Sequence, residues 1–184
     1  MTATTSSILQ VFRRFGRDRR GVSAVEFAII APVMIGLYLG CTEVSDGVAV
    51  DRKVSLTAGA LANLTAQATN LAVADMTNIL DASSAIIAPY DAGLLTMTVT
   101  CLSIDGNKNA NVKWSVTRNG KVEAGTMNIP AALAVPNTQM IYSEVTYAYT
   151  PAVGYTITGT LTLSDHMYMS PRITAPIYNN IACT

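Results

Sequence analysis

The feature that most constrains the fold is an apolar run near the N-terminus. The twenty residues from Val22 to Cys41 contain a single charged side chain, Glu26. A helix of this length rises roughly 30 Å, which is the thickness of a bilayer core. The run therefore predicts one transmembrane helix. Pro32, in its middle, is expected to kink or loosen the helix unless membrane packing simply tolerates it.

A cleaved secretory signal is the competing interpretation of this run. The apolar part of such a signal is usually shorter, and an acid inside it is unexpected. No Ala-x-Ala pattern closes the run, because the residues after Gly40 read CTEVSDG. We therefore divide the chain into a basic leader over residues 1–21, a transmembrane helix over residues 22–41 and a domain over residues 42–184.

Basic residues flank the run on one side. The leader holds five arginines within eight positions: Arg13, Arg14, Arg17, Arg19 and Arg20. After the run, Arg52 and Lys53 are accompanied by three acids. The positive-inside bias predicts a cytoplasmic leader and places the domain on the opposite side, which is the periplasm in a bacterium.

Composition excludes one class of partner. The chain of 184 residues is 50% apolar and 13% charged, with 12 basic and 12 acidic side chains. From Val22 onward the count is seven Lys or Arg against eleven Asp or Glu. Nucleic acid recognition needs a basic surface, so this mildly acidic domain predicts no nucleic acid partner.

Helical periodicity continues beyond the membrane. Residues 42–70 contain no proline, and apolar side chains recur there at helical spacing, at Val50, Val54, Leu61, Leu64, Ala68 and Leu71. A long N-terminal helix, half in the bilayer and half outside, is expected, although Gly47 and Gly59 weaken the case for its continuity. A second helix is predicted from Asp75, as its cap, to Pro89.

The rest of the chain alternates in the manner of strands. Apolar and polar residues alternate in four places, around Leu95–Cys101, Val112–Val116, residues 138–149 and Tyr155–Leu163. The alternation predicts strands with one buried face and one face in water, the latter including the threonines between Leu95 and Cys101. The pairs Asp105-Gly106 and Asn119-Gly120 predict turns. The expected fold is α+β, with a transmembrane helix extended by a periplasmic helix, a second helix and an antiparallel sheet of about four strands.

Three cysteines remain, and two of them suggest a disulfide. In an oxidising periplasm, a bond between Cys101 and Cys183 would hold the C-terminal tail, which has little else to anchor it. The alternative is that Cys101 is a buried thiol in the core. Sequence alone leaves this pairing open, and it assigns no bond to Cys41.

Motifs for catalysis and cofactor binding are missing from the sequence. His166 is the one histidine, which argues against a histidine metal cluster, and no GxSxG, SxxK or phosphate-binding glycine loop occurs. Asp165 beside His166 is more often a solvated strand end than half of a catalytic dyad. We expect no enzyme, no metal and no cofactor, and we expect the late tyrosines to pack on the sheet or to face a partner subunit.

The residues around Gly21 resemble a known family. Basic residues, Gly21 and VSAVEF, followed by an apolar helix, resemble the type IV prepilin signal, and RRGVSAVEFAIIAPVMIGLYLGCTEVSDG is similar to the opening of TadE-like pseudopilins of the Tad (tight adherence) pilus machinery. Looser similarity continues in MTNILDASSAIIAPY, VKWSV, EVTYAYTP and LSDHMYMSPR. Phe27 stands where major Tad pilins carry tyrosine, which favours a minor pilin or pseudopilin.

This resemblance implies a role for each residue of the signal. A prepilin peptidase would cut between Gly21 and Val22 on the cytoplasmic face, and Glu26 would neutralise the new amine of a neighbouring subunit during assembly. Implied partners are the inner membrane, the prepilin peptidase, other pilin subunits and the Tad assembly machinery. The protein would initiate or assemble an adhesive type IVc pilus, whether it stays in the inner membrane or enters the extracellular filament.

A second function stays open at this point. In the larger TadG-like relatives a similar N-terminus serves only as an anchor for a periplasmic scaffold or binding protein. Such a protein is never cut, and Glu26 would then be an acid that snorkels to the membrane interface.

Overall fold

Helices and strands together make an α+β fold, as the sequence predicts. The computed structural model describes residues 19–154 and 159–184, with side chains from Gly21 onward. Helix α1 spans Arg19–Gln67 and helix α2 spans Val73–Ser84. The strands are β1 (Asn70–Leu71), β2 (Leu95–Ile104), β3 (Ala110–Arg118), β4 (Thr126–Met127), β5 (Thr138–Tyr149), β6 (Leu161–Met169) and β7 (Ile177–Tyr178).

The main sheet is antiparallel and has five strands in the order β4-β3-β2-β5-β6. The sequence predicts about four strands, and the two-residue β4 is the addition. Strands β1 and β7 form a separate parallel pair. Tyr155 and Ile157, which the sequence assigns to the last long strand, lie outside the described residues; the described strand there begins at Leu161.

Helix α1 is continuous through every residue that could have interrupted it. Its 49 residues include Pro32, and Gly47 and Gly59 also lie inside it. The chain divides into two compact units, Met1–Val44 and Ser45–Thr184, and α1 contributes residues to both.

In the second unit, one side of α1 packs against one face of the main sheet. Val50, Val54 and Leu61 of the helix belong to the same buried cluster as alternate side chains of β2, namely Leu95, Met97, Val99 and Cys101. Ser143 of β5 donates a hydrogen bond to the carbonyl of Ala58 at 2.8 Å. This face is the hydrophobic core of the unit.

The predicted stripe on α1 is wrong at its C-terminal end. Leu64 is 37% exposed, and Leu71 is buried but belongs to β1. The helix ends at Gln67, so Ala68 lies in the loop that follows and Leu71 lies in β1, and neither is part of the helix. The helical spacing holds for Val50, Val54 and Leu61, and it does not apply beyond Gln67, where the chain leaves the helix.

Helix α2 begins three residues earlier than predicted, at Val73 rather than Met76, and it ends at Ser84 rather than at Pro89, with a short 3-10 helix over Ala85–Ile87 between them. Asp75 is not its cap; the residue lies in the first turn, where its carboxylate accepts the backbone N–H of Ala72 at 3.0 Å. An acid in the first turn stabilises the positive end of the helix dipole. Beyond α2, the ammonium of Lys53 donates to the carbonyls of Ile86 and Ala88 at 3.2 and 2.6 Å.

The second face of the sheet is more buried than the sequence predicts. Thr98 and Thr100 were expected to face water, yet they are buried. After β3 the chain folds back over them: the N–H of Glu123 donates to Ser115 at 3.1 Å, and loop side chains pack on Leu102 and Ile104. The buried hydroxyls pair across strands, including Thr100 with Ser115 at 2.9 Å.

A bulge breaks the predicted alternation in β3. Cys101 pairs with Trp114, but the next residue, Leu102, pairs with Val112, so Lys113 is an extra residue. Because of the extra residue, the side chains on its two sides no longer keep a single alternation, and Val112 and Trp114 lie on opposite faces of the sheet. Val112 therefore packs in the second cluster with Leu102, whereas Trp114 packs in the main core.

Candidate functional site

The predicted processing and assembly residues lie on the first two turns of α1. Gly21, Val22 and Glu26 are all exposed, and a Cβ placed on Gly21 would have no neighbour within 4 Å. Val22 and Glu26 are four residues apart, so they lie on the same face of the helix about one turn from each other. The peptide bond and the carboxylate that the family resemblance implicates are thus adjacent on one accessible surface.

The helix that carries these residues presents apolar side chains on all sides. Exposed fractions reach 72% for Phe27 and 69% for Tyr38, and the other exposed large apolar residues of this segment are Val22, Val25, Ile29, Ile30, Val33, Met34, Ile35, Leu37, Leu39 and Val44. A helix that is apolar all round needs lipid or other helices around it. Among the described residues, one helix, Gly21–Gln67, is long and apolar enough to cross a membrane.

Glu26 is the exception on this apolar surface. Among the side chains that the structure describes, none forms an ion pair with it. A carboxylate within a membrane segment is costly unless a cation or the interface compensates it. The site can therefore accept a positive group from outside the described part of the chain.

The structure gives no side-chain positions for the basic cluster. Arg13, Arg14 and Arg17 lie outside the described residues, and Arg19 and Arg20 are described only as the first backbone residues of α1. Their role in membrane topology stays a prediction.

The structure brings Cys101 and Cys183 together as a disulfide, with the Cα atoms 5.9 Å apart and a sequence separation of 82. Both residues are fully buried in the main core. Cys41 lies far along the chain from this pair, on the exposed surface of α1.

The C-terminal segment has further anchors that sequence reasoning missed. Strand β7 pairs with β1, and the indole N–H of Trp114 donates to the carbonyl of Pro176 at 3.2 Å. The ring of Trp114 lies 5.5 Å from that of Tyr178. Asn179 and Asn180, both with positive φ, form a two-residue turn that returns the chain toward the core. The apolar-Asn-Asn-apolar pattern was the signal for this turn.

Aromatic side chains cluster on the other face of β5 and β6. The rings of Tyr142, His166 and Tyr168 lie 5.0 to 5.9 Å from one another. The hydroxyl of Tyr142 donates to Glu144 at 3.1 Å. Burial first, and the Glu144 carboxylate second, raise the pKa of Tyr142 well above its usual range, so this phenol stays protonated.

Asp165 and His166 do not form a catalytic dyad. They are consecutive residues inside β6, so their side chains point to opposite faces of the sheet. The expectation that they mark a strand end is wrong, because β6 continues to Met169. In the described ranges, no group of three or more His, Cys, Asp or Glu side chains could hold a metal ion.

Fold and site together define a protein with an α+β domain and one helix able to span a membrane. The family model described as TadE-like protein matches residues 21–69, which is α1 from its third residue to just past its end. This match, over 49 of the 184 residues, confirms the resemblance that the sequence shows in this segment. No curated protein and no solved structure matches the chain.

Proposed function

We propose that this protein is a minor pilin or pseudopilin of the Tad pilus that prepilin peptidase cuts between Gly21 and Val22. Helix α1 anchors it in the bacterial inner membrane, with the arginine-rich leader in the cytoplasm and residues 42–184 in the periplasm. Its partners are other pilin subunits and the Tad assembly machinery.

One observation carries this proposal. The apolar run Val22–Cys41 of α1 contains a single carboxylate, Glu26, one turn from the Gly21–Val22 bond at which the family match begins. A helix that served only as an anchor would gain from an apolar residue at that position. A helix that packs against processed neighbours gains from a carboxylate.

Cleavage supplies the group that Glu26 lacks. Hydrolysis of the Gly21–Val22 bond leaves a carboxylate on the leader and a protonated α-amine on Val22, because the α-amino pKa is about 8. Two opposite charges buried together are far less costly than one alone, and removing one partner of such a pair costs about 3–5 kcal/mol. Packing is therefore favourable only between processed subunits in correct register.

The test is a pair of substitutions at Glu26. Glu26→Gln keeps the shape but removes the charge, so we expect normal cleavage and membrane insertion with assembly weakened about 100-fold, the factor that corresponds to roughly 3 kcal/mol. Glu26→Asp keeps the charge and should retain part of the assembly. Pilus counts, chain mass and membrane fractionation are measured on each strain.

The control is Glu43→Gln, which removes a carboxylate beyond the apolar run and should leave pilus number unchanged. Wild-type piliation in the Glu26→Gln strain, with the variant present in its membrane at normal level, would contradict the assigned role. Loss of cleavage in that strain would also contradict it, since Glu26 is proposed to act after the cut.

A further inference from the structure

The two edges of the main sheet differ in length. At one edge is β4, with two residues; at the other is β6, with nine. A long edge strand exposes unpaired backbone groups that can pair with a strand of another chain, and folded proteins usually block such edges. Strand β6 therefore needs a feature that prevents this pairing.

The side chains of β6 that face the core side of the sheet are apolar with one exception. Leu163 and Met169 pack against the main core, and Leu161 and Met167 are partly exposed on the same face. Asp165 lies between them, and its partner on β5 is the fully buried Val145. A charged residue on the inward face of an edge strand is one of the known ways of blocking an edge.

The carboxylate of Asp165 also occupies a backbone donor. Its Oδ1 accepts the N–H of His166 at 2.8 Å. In an antiparallel strand the N–H and C=O of a residue point to the same neighbouring strand. Because the N–H of His166 bonds to its own preceding side chain, we place the backbone groups of His166 on the side of β6 away from β5, which is the edge of the sheet among the described residues.

We propose that Asp165 keeps β6 from pairing with the β6 strand of a second copy of this chain. Two copies of one edge strand can pair antiparallel about a two-fold axis, which makes β6 its own best partner. Asp165 prevents this by covering the N–H of His166 and by interrupting the apolar row. The inference does not depend on cleavage or on the role of Glu26.

The test compares full-length variants in detergent micelles by sedimentation and light scattering. Asp165→Leu removes the block and completes the apolar row, so it should self-associate about tenfold more tightly than the wild type or better. Asp165→Ala removes the block without adding much apolar area and should show a weaker effect of the same kind. Ser164→Leu adds the same apolar side chain to the opposite face and should behave as the wild type.

One amide reports where association occurs. His166 is the only histidine in the chain, so ¹⁵N-histidine labelling gives a single backbone amide signal. Its exchange with solvent should be slow in the wild type and faster in dilute Asp165→Ala. In concentrated Asp165→Leu it should become slow again as a second strand covers it.

Three results would overturn the proposal. Asp165→Leu and Asp165→Ala could match the wild type in mass at every concentration. Ser164→Leu could associate as tightly as Asp165→Leu, which would assign the effect to added apolar area. Association could also leave the exchange of the His166 amide unchanged, which would place the contact elsewhere.

Discussion

At the scale of single residues, Gly120 shows how closely the chain after β3 approaches the sheet. A Cβ at this position would lie 2.6 Å from Oγ1 of Thr117 and 2.7 Å from Cγ2 of Thr96. Both distances are shorter than any ordinary contact, and both neighbours are β-branched side chains with restricted rotamers. Only glycine lets the chain cross the sheet here.

Gly120→Ala should therefore lower the free energy of unfolding by about 1–3 kcal/mol, the usual cost of overpacking. Gly106→Ala is the matched control, because its Cβ would meet nothing within 4 Å and its φ is not positive. Denaturant unfolding of both full-length variants in the same detergent gives the comparison. Equal stability of the two would show that the loop lies further from Thr96 and Thr117 than described.

Some residue-scale properties could not be predicted from the sequence. The alternation of Leu95, Met97 and Val99 correctly predicted a buried face, since all three are fully buried. The same alternation predicted a wet face at Thr98 and Thr100, and that was wrong. Their burial depends on a loop that has no periodicity of its own, so no local pattern indicates that it covers them.

At the scale of elements, α1 was the most predictable part of the chain. An apolar run followed by residues at helical spacing indicates a long helix whatever the rest of the fold does. Its end was less predictable, because Leu71 fits the helical spacing but lies in β1. The bulge at Lys113 was also missed, since a bulge changes which residues face the core without changing the composition of the strand.

The C-terminal segment is the element whose stability depends most on a single bond. Strand β7 pairs with β1 over two residues, and the disulfide attaches the last turn to the central strand β2. Cross-linking across 82 residues restricts the unfolded chain strongly. Replacing both Cys101 and Cys183 by alanine should lower the free energy of unfolding by about 2–5 kcal/mol.

The single tryptophan reports on the same change. Trp114 contacts Pro176 and Tyr178, so release of the segment should shift its emission to longer wavelengths at denaturant concentrations that leave the wild type unchanged. Dithiothreitol should lower the free energy of unfolding of the wild type to that of the double variant, and it should leave the value for the double variant unchanged. Two alkylatable thiols at Cys101 and Cys183 in the oxidised native protein would contradict the disulfide.

At the scale of the whole molecule, the sequence correctly predicted the α+β class and the TadE-like resemblance. The family match ends at residue 69, so the sheet and its C-terminal segment lie beyond it. The charges are divided unevenly along the chain: the apolar run Val22–Cys41 carries one acid, and all other charged residues lie in the leader and in residues 42–184. We propose that α1 serves anchoring and assembly and that the sheet forms the surface that the protein presents outside the membrane.

The central claim is that this helix is processed before it assembles. The most direct test is the N-terminal mass of the protein purified from its native membrane, in strains with and without the prepilin peptidase. The account predicts a chain that starts at Val22 when the peptidase is present and an intact leader when it is absent. A chain that keeps Arg19 and Arg20 in both strains would contradict it and would make the protein an uncleaved, membrane-anchored scaffold.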